Sequence, residues 1–174
     1  MYKRRITEGI YEMLTPDYIV GLTDGEGCFL IQLRTDYRIV LRYFITQRFD
    51  NRELLEKVLD YFKIGYVYRK LQGNDKRKTA FVYEVTKQND IQYVVIPFFK
   101  SNPLQGIKRK SFERFARIAE IVKDRQDTRK LTKDELDEVW HLKLTMNTLH
   151  NELRNISARL VPEIGSLGGN GKQP

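Results

Sequence analysis

The chain has 174 residues, 41% hydrophobic and 31% charged, with a formal net charge of +8. That is enough for one well-cored domain and short for two, and the balance is that of a soluble globular chain rather than a disordered one. No apolar run approaches the roughly 18 residues of a membrane span, and the lone Cys28 excludes an internal disulfide and a cysteine-based zinc site.

The basic N-terminal stretch lacks the apolar core and cleavage site of a secretory signal, which predicts an intracellular protein. Charge is uneven. Residues 1–110 carry 20 Lys and Arg against 13 Asp and Glu, a net of +7, whereas residues 111–160 carry 10 against 9. A phosphate backbone is the polyanion such an asymmetry suits, with anionic lipid the weaker alternative.

Thr15-Pro16-Asp17 reads as a helix start, with Thr15 as N-cap, Pro16 in the first turn and Asp17 where acids are favoured. This helix is expected to end near Asp24-Gly25. Phe29 to Gln47 is rich in β-branched and aromatic residues, breaks at Thr35-Asp36 and predicts a hairpin with one cationic and one apolar face. Asp50 or Asn51 opens a second helix, with Leu54, Leu55, Val58, Leu59 and Phe62 at helical spacing. Residues 65–70 and 79–85 predict a second hairpin around a loop containing Lys76, Arg77 and Lys78. Asn89-Asp90 opens a third helix that Pro97 kinks or shortens.

An amphipathic helix follows over 111–122, its Phe112 and Phe115 read as packing residues along with Cys28. The capping box Thr132-Lys133-Asp134-Glu135 opens another that carries Leu136, Val139, Trp140 and Leu144, with Trp140 also assigned to packing. A further helical stretch is expected to reach Leu160, and the tail from Gly165 to be disordered. The expected organisation is a single domain over 1–164, with a core of about 15–122, a helical extension of about 123–164 and a tail over 165–174.

Tyr18 to Phe29 reads YIVGLTDGEGCF and ends an apolar run with Gly21, Asp24, Gly25, Glu26 and Gly27. Three glycines in seven residues are a costly way to build a helix unless something approaches the backbone closely. Ile19 to Gly27 resembles the signature of the LAGLIDADG homing endonucleases, and the likeness continues through roughly residues 15–122, including the Phe44-Ile45-Thr46-Gln47 run. Thr23 departs from the usual aliphatic residue, and Glu26 from the commoner Asp.

The resemblance implies an α+β fold: a helix-hairpin-helix-hairpin-helix core with C-terminal helices, whose antiparallel sheet forms a DNA-binding saddle. One signature rather than two implies a homodimer cutting a near-palindromic double-stranded target, and the resemblance itself implies an intron-encoded protein, with an intein host left open. Ile19, Gly21, Leu22, Asp24 and Gly25 would form the dimer interface, the two glycines lying four apart on one helix face. Glu26 and the Gly25 carbonyl would bind Mg²⁺, with Mn²⁺ able to substitute. Glu26, Gln47 and Lys108 would be catalytic, and either Arg48 or Arg52 would add a cation. His141 and His150 are read as surface or core residues.

Gln32, Arg34, Arg38, Arg42, Tyr68, Lys70, Phe81 and Tyr83 are the expected base contacts, and Lys76, Arg77 and Lys78 the phosphate contacts. A ribbon arm of about nine residues extends roughly 30 Å, or about 9 base pairs, so two subunits would read about 18–22. The competing readings are an RNA-binding splicing maturase on the same fold and a catalytically silent DNA-binding regulator. Glu26 together with Gln47 and Lys108 favours the nuclease.

Overall fold

In a computed structural model, residues 13–71 and 80–146 are described. Helix α1 spans Pro16–Glu26, and its start is the one expected: Thr15 Oγ1 accepts from the Tyr18 N–H at 3.2 Å. It runs a residue or two past its expected end, to Glu26, where Gly27 takes extended backbone and opens β1 (Gly27–Leu33). A turn with Tyr37 in the left-handed region (φ 65°) leads to β2 (Ile39–Arg48).

A 3-10 turn (Phe49–Asn51) precedes α2 (Arg52–Phe62). Gly65 lies at φ +80°, and a Cβ there would sit 2.5 Å from the Glu84 carbonyl oxygen, so only glycine fits the entry to β3 (Tyr66–Lys70). Strand β4 (Ala80–Val85) completes an antiparallel sheet of order β1-β2-β4-β3.

After β4 a helical turn, α3 (Gln88–Asp90), passes through a π-helical segment (Ile91–Val95) into α4 (Ile96–Ser101). Pro97 has no N–H to offer the preceding turn, and the Ile96 N–H reaches the Ile91 carbonyl five residues back. The helix widens there instead of breaking. Helix α5 spans Lys108–Ile121, starting three residues before the expected 111. The expected capping box opens α6 over 133–146: the Thr132 N–H donates to Glu135 Oε2 at 2.8 Å, and the Glu135 N–H to Thr132 Oγ1 at 3.3 Å. No helix among the described residues is long and apolar enough to cross a membrane.

Alternation along the strands divides the sheet. Phe29, Ile31, Leu41, Tyr43, Ile45 and Tyr83 point towards the helices and are buried with Leu55, Phe62, Phe99 and Phe115 in one cluster. Phe29 lies at its centre, stacked on Tyr43 at 5.2 Å and edge-on to Phe99 at 5.4 Å. The alternate residues, including Gln32, Arg42, Phe44, Tyr66, Tyr68 and Lys70, form the other face. Ala80 and Val82, buried on that face, stand outside the helix-packed cluster.

The expected packing roles of Phe112 and Phe115 agree with their burial, whereas Trp140 is corrected: it is 45% exposed, with the Lys143 ammonium 5.3 Å from its ring. One face of α6 carries Val139 into the core, and Trp140, one position on, turns outward. Lys76, Arg77 and Lys78, His150, the helical stretch to Leu160 and the tail lie outside the described residues.

Gly27 is where α1 and β1 meet most tightly. A Cβ there would fall 2.6 Å from Thr23 Cγ2 and 2.8 Å from the Thr23 backbone. Gly27→Ala is expected to destabilise the fold by about 1–3 kcal/mol in urea unfolding, because helix and strand cannot move apart without opening the Thr23 site.

Candidate active site and nucleic-acid face

The foot of α1 brings together the residues that the signature singled out. Thr23 is fully buried, and its hydroxyl shares a 2.8 Å hydrogen bond with the Tyr43 hydroxyl inside the core. The polar residue at this usually aliphatic position therefore has a partner, supplied by β2. Burial also pushes the Tyr43 phenol far above its ordinary pKa, so it remains a neutral hydrogen-bonding group.

Asp24 turns towards the loop between α4 and α5. Its Oδ2 accepts from the Gln105 N–H at 2.8 Å and the Gly106 N–H at 3.2 Å. Its Oδ1 is buried without a hydrogen-bond partner among the described residues, and a Cβ on Gly106 would approach it to 3.1 Å. Glu26, at the last position of α1, is exposed and makes no hydrogen bond or ion pair among the described residues.

Lys108 at the start of α5 closes the site. Its ammonium donates to the Gly25 carbonyl at 2.8 Å and the Thr23 carbonyl at 3.2 Å. The last turn of α1 has no basic residue of its own, so this cation arrives from 83 positions away to meet the negative end of the helix dipole. Burial holds the Lys108 pKa below the usual lysine value, against the opposing pull of Cys28, Glu26 and Asp24. Cys28, next to the site, is half-buried, and burial pushes its thiol up despite Lys108 and Arg42 nearby.

Gln47 lies near the end of β2, two residues beyond Ile45, which pairs with Gly27. The strand thus carries Gln47 past the foot of α1. Asn51 Nδ2 donates to Gln47 Oε1 at 2.8 Å and fixes its amide. Of the two candidate extra cations, Arg48 pairs with Asp50 and Arg52 with Glu56. The Arg52 guanidinium also lies 5.2 Å from the Phe81 ring.

The expected interface residues divide. Gly21 and Gly25 are exposed, and a Cβ on either would meet nothing within 4 Å, while Tyr18 beside them is 48% exposed. Leu22 is half-buried. Ile19 is corrected: it is fully buried in the chain's own core, because its helix face is the one that packs on the sheet.

Strand parity also corrects the expected base contacts. Tyr68 pairs with Val82 and Lys70 with Ala80, whereas Tyr83 pairs with Val67 and Phe81 with Arg69. Directly paired residues share a face, so Phe81 and Tyr83 point away from Tyr68 and Lys70. Tyr83 is fully buried and donates its hydroxyl to the Ile64 carbonyl at 3.0 Å. Gln32 and Arg42 share the open face with Tyr68 and Lys70; Arg34 and Arg38 sit at the hairpin turn, both paired with Asp36. The sequence reading missed Phe44, Tyr66 and Glu84 on that face, which the same two-residue alternation predicts once the register is known.

Together, the four-stranded sheet, the acid-tipped helix leading directly into it and the lysine closing that helix define the LAGLIDADG class of α+β fold. A family-wide sequence model described as LAGLIDADG endonuclease matches residues 19–119. The chain belongs to this family. It is 30% identical over 129 residues to a probable intron-encoded endonuclease 2 of Neurospora crassa, covering 73% of this chain and 26% of that protein. It is 37% identical over 94 residues to a probable intron-encoded DNA endonuclease 1 of Mycosarcoma maydis, covering 53% and 33%. The chain therefore spans only about a quarter to a third of these curated relatives.

Among solved structures, the homing endonuclease I-TnaI matches with a TM-score of 0.65 at 25% identity, over 84% of this chain and 97% of that one. I-SmaMI, bound to uncleaved DNA target in the presence of calcium ions, matches with a TM-score of 0.65 at 26% identity, over 83% of this chain and 48% of that one.

Asp24 ties the loop before α5, and so Lys108, to the end of α1. Asp24→Ala is expected to cost about 0.5–1.5 kcal/mol of stability by removing the two hydrogen bonds that hold this loop, whose donors then turn to water. Faster amide exchange at Gln105 and Gly106 would report the released loop.

Proposed function

We propose that this chain is a divalent-metal-dependent, site-specific double-stranded DNA endonuclease that works as a homodimer on a long, near-palindromic target. The observation that carries the reading is the foot of α1, where an exposed, unpaired Glu26 stands beside a lysine and two backbone carbonyls at the start of β1. Family membership and the endonuclease names of the relatives support it.

The donor set suits a hard cation. Glu26 and the Gly25 carbonyl supply oxygen, and Asp24 Oδ1 is a buried oxygen with no partner among the described residues. No group of three or more His, Cys, Asp or Glu able to hold a metal occurs among the described residues of one chain. The second copy's α1 would therefore have to complete the site. Glu26 and Gly25 would hold Mg²⁺, or Mn²⁺ in its place. When bound, the metal supplies Lewis-acid stabilisation of the phosphate and a more acidic water.

The chain's own groups do the rest. Lys108 has a long stem, and its ammonium can exchange a carbonyl of α1 for a phosphate oxygen as charge develops there. Gln47 has its Oε1 committed to Asn51, which leaves its amide N–H groups as the donors it could offer a water or a phosphate oxygen. Gln32, Arg42, Tyr68 and Lys70 on the open face would lie against the major groove, with Arg34 and Arg38 at the hairpin end. Lys76, Arg77 and Lys78 would meet phosphates. Gly21 and Gly25 leave α1 bare along one stripe, which fits close approach by a second α1.

The test is a selection from a randomised duplex library, with binding in Ca²⁺ followed by cutting in Mg²⁺. Near-palindromic ends cut on both strands are expected. Glu26→Gln and Lys108→Met should each lower cleavage about 10²–10³-fold while binding persists. Specific duplex binding without cutting in Mg²⁺ or Mn²⁺ overturns the nuclease reading in favour of a regulator, and preference for RNA favours a maturase. In light scattering, the wild type should be a dimer. Gly21→Ala should shift it towards monomer while the chain stays folded, because its Cβ meets nothing within 4 Å among the described residues of its own chain.

A further inference from the structure

Glu84 lies on β4, on the open face of the sheet, yet it is only 2% exposed. A carboxylate buried on a face that would meet a polyanion is costly unless it is fully paired. Here it is. Arg42 Nε donates to Glu84 Oε1, and Nη2 makes an ion-pair contact with the same oxygen. The Tyr66 hydroxyl donates to Oε2 at 3.1 Å, and the Tyr68 ring lies alongside that of Tyr66.

The strand register assembles this cluster from three strands. Glu84 pairs with Phe44 on one side and Tyr66 on the other, and Arg42 is the next residue of β2 on that face. The Tyr66 and Tyr68 rings lie 5.6 Å apart, and the Arg42 guanidinium 5.8 Å from the Phe44 ring. The arginine is thus gripped along one edge while its side chain keeps 30% exposure. A guanidinium has more donors than the two that Glu84 uses, and they project in a planar fork. Arg34 and Arg38, by contrast, pair with an exposed aspartate in a turn.

We propose that Glu84 is a positioning residue: with Tyr66 and Tyr68 it sets the Arg42 guanidinium to read a guanine at one fixed position in each half-site of the target. This rests on the DNA-cleaving function proposed above. Guanine is the base that offers O6 and N7 to an arginine fork in the major groove. Arg42 is three residues along β2 from Ile45, which pairs with Gly27 at the foot of α1. That spacing is roughly 10 Å at about 3.3 Å per residue, which puts the guanine about three base pairs outward from the foot of α1. Were Glu84 merely a neutralising partner, its loss would strengthen binding to all duplexes and change no base preference.

The test compares binding selections in Ca²⁺ from a randomised duplex library for the full chain and for Arg42→Lys, Glu84→Gln and Tyr66→Phe, with melting curves as the check on folding. The wild type should prefer guanine at one position per half-site by about 5–150-fold. Arg42→Lys and Glu84→Gln should both reduce that preference to less than about twofold while other positions keep theirs, with Tyr66→Phe intermediate. A folded Glu84→Gln protein that keeps the guanine preference, or loses preference everywhere together, overturns the proposal. If Glu84→Gln does not fold, unchanged preference in both Arg42→Lys and Tyr66→Phe overturns it. A wild type that selects a site with no guanine tied to Arg42 defeats this inference alone. A wild type with no sequence preference in duplex DNA defeats the functional reading and this inference with it.

Discussion

The C-terminal end of α1 concentrates negative charge: its last carbonyls, Asp24 and Glu26 all lie there, and no basic residue occupies its final turn. The ammonium of Lys108 offsets that charge by bonding two of the carbonyls directly. Because Lys108 begins α5, this contact ties the front and back of the chain together. Asp24 reinforces the link by bonding the loop immediately before Lys108. Both of these groups are committed within the fold, and Glu26 is left exposed, with no ion pair among the described residues. Under the function proposed above, such an acid beside a lysine and two backbone carbonyls would meet a cation and a phosphate.

A second constraint is the strict alternation of the sheet. One face is filled with aromatic and aliphatic side chains and holds the helices; the other carries the polar groups. The polar face is not uniformly cationic. Glu84 sits on it, 2% exposed and bonded by Arg42 and Tyr66, and the charge available to a partner is consequently directed rather than spread. A net basic composition gives attraction to phosphate, whereas a braced arginine can provide preference among bases.

Glycine use along α1 follows the same economy of space. Gly27 is required by its own chain, since a side chain there would strike Thr23. At Gly21 and Gly25 a side chain would meet nothing within 4 Å among the described residues, although each glycine weakens the helix. Bare glycine positions of this kind would suit the close approach of a second α1 under the function proposed above.

Much of this architecture was legible in the sequence because it depends on local chemistry. The Thr15-Pro16-Asp17 start, the Thr132–Glu135 capping box, the two hairpins and the acidic, glycine-rich end of α1 all follow from the preferences of adjacent residues. The same holds for the amphipathic stretch that became α5. Partners distant in sequence were decided only by tertiary structure. Periodicity in one strand does not say which face meets the helices, so Phe81 and Tyr83 looked available until the β3–β4 register turned them inward. Ile19 looked like an interface residue until the packing of α1 placed it in the core. Thr23 with Tyr43, Lys108 with Gly25, and Arg42 with Glu84 are each separated by twenty or more positions. No local propensity encodes such pairs, because each exists only once the fold has brought groups distant in sequence within bonding distance.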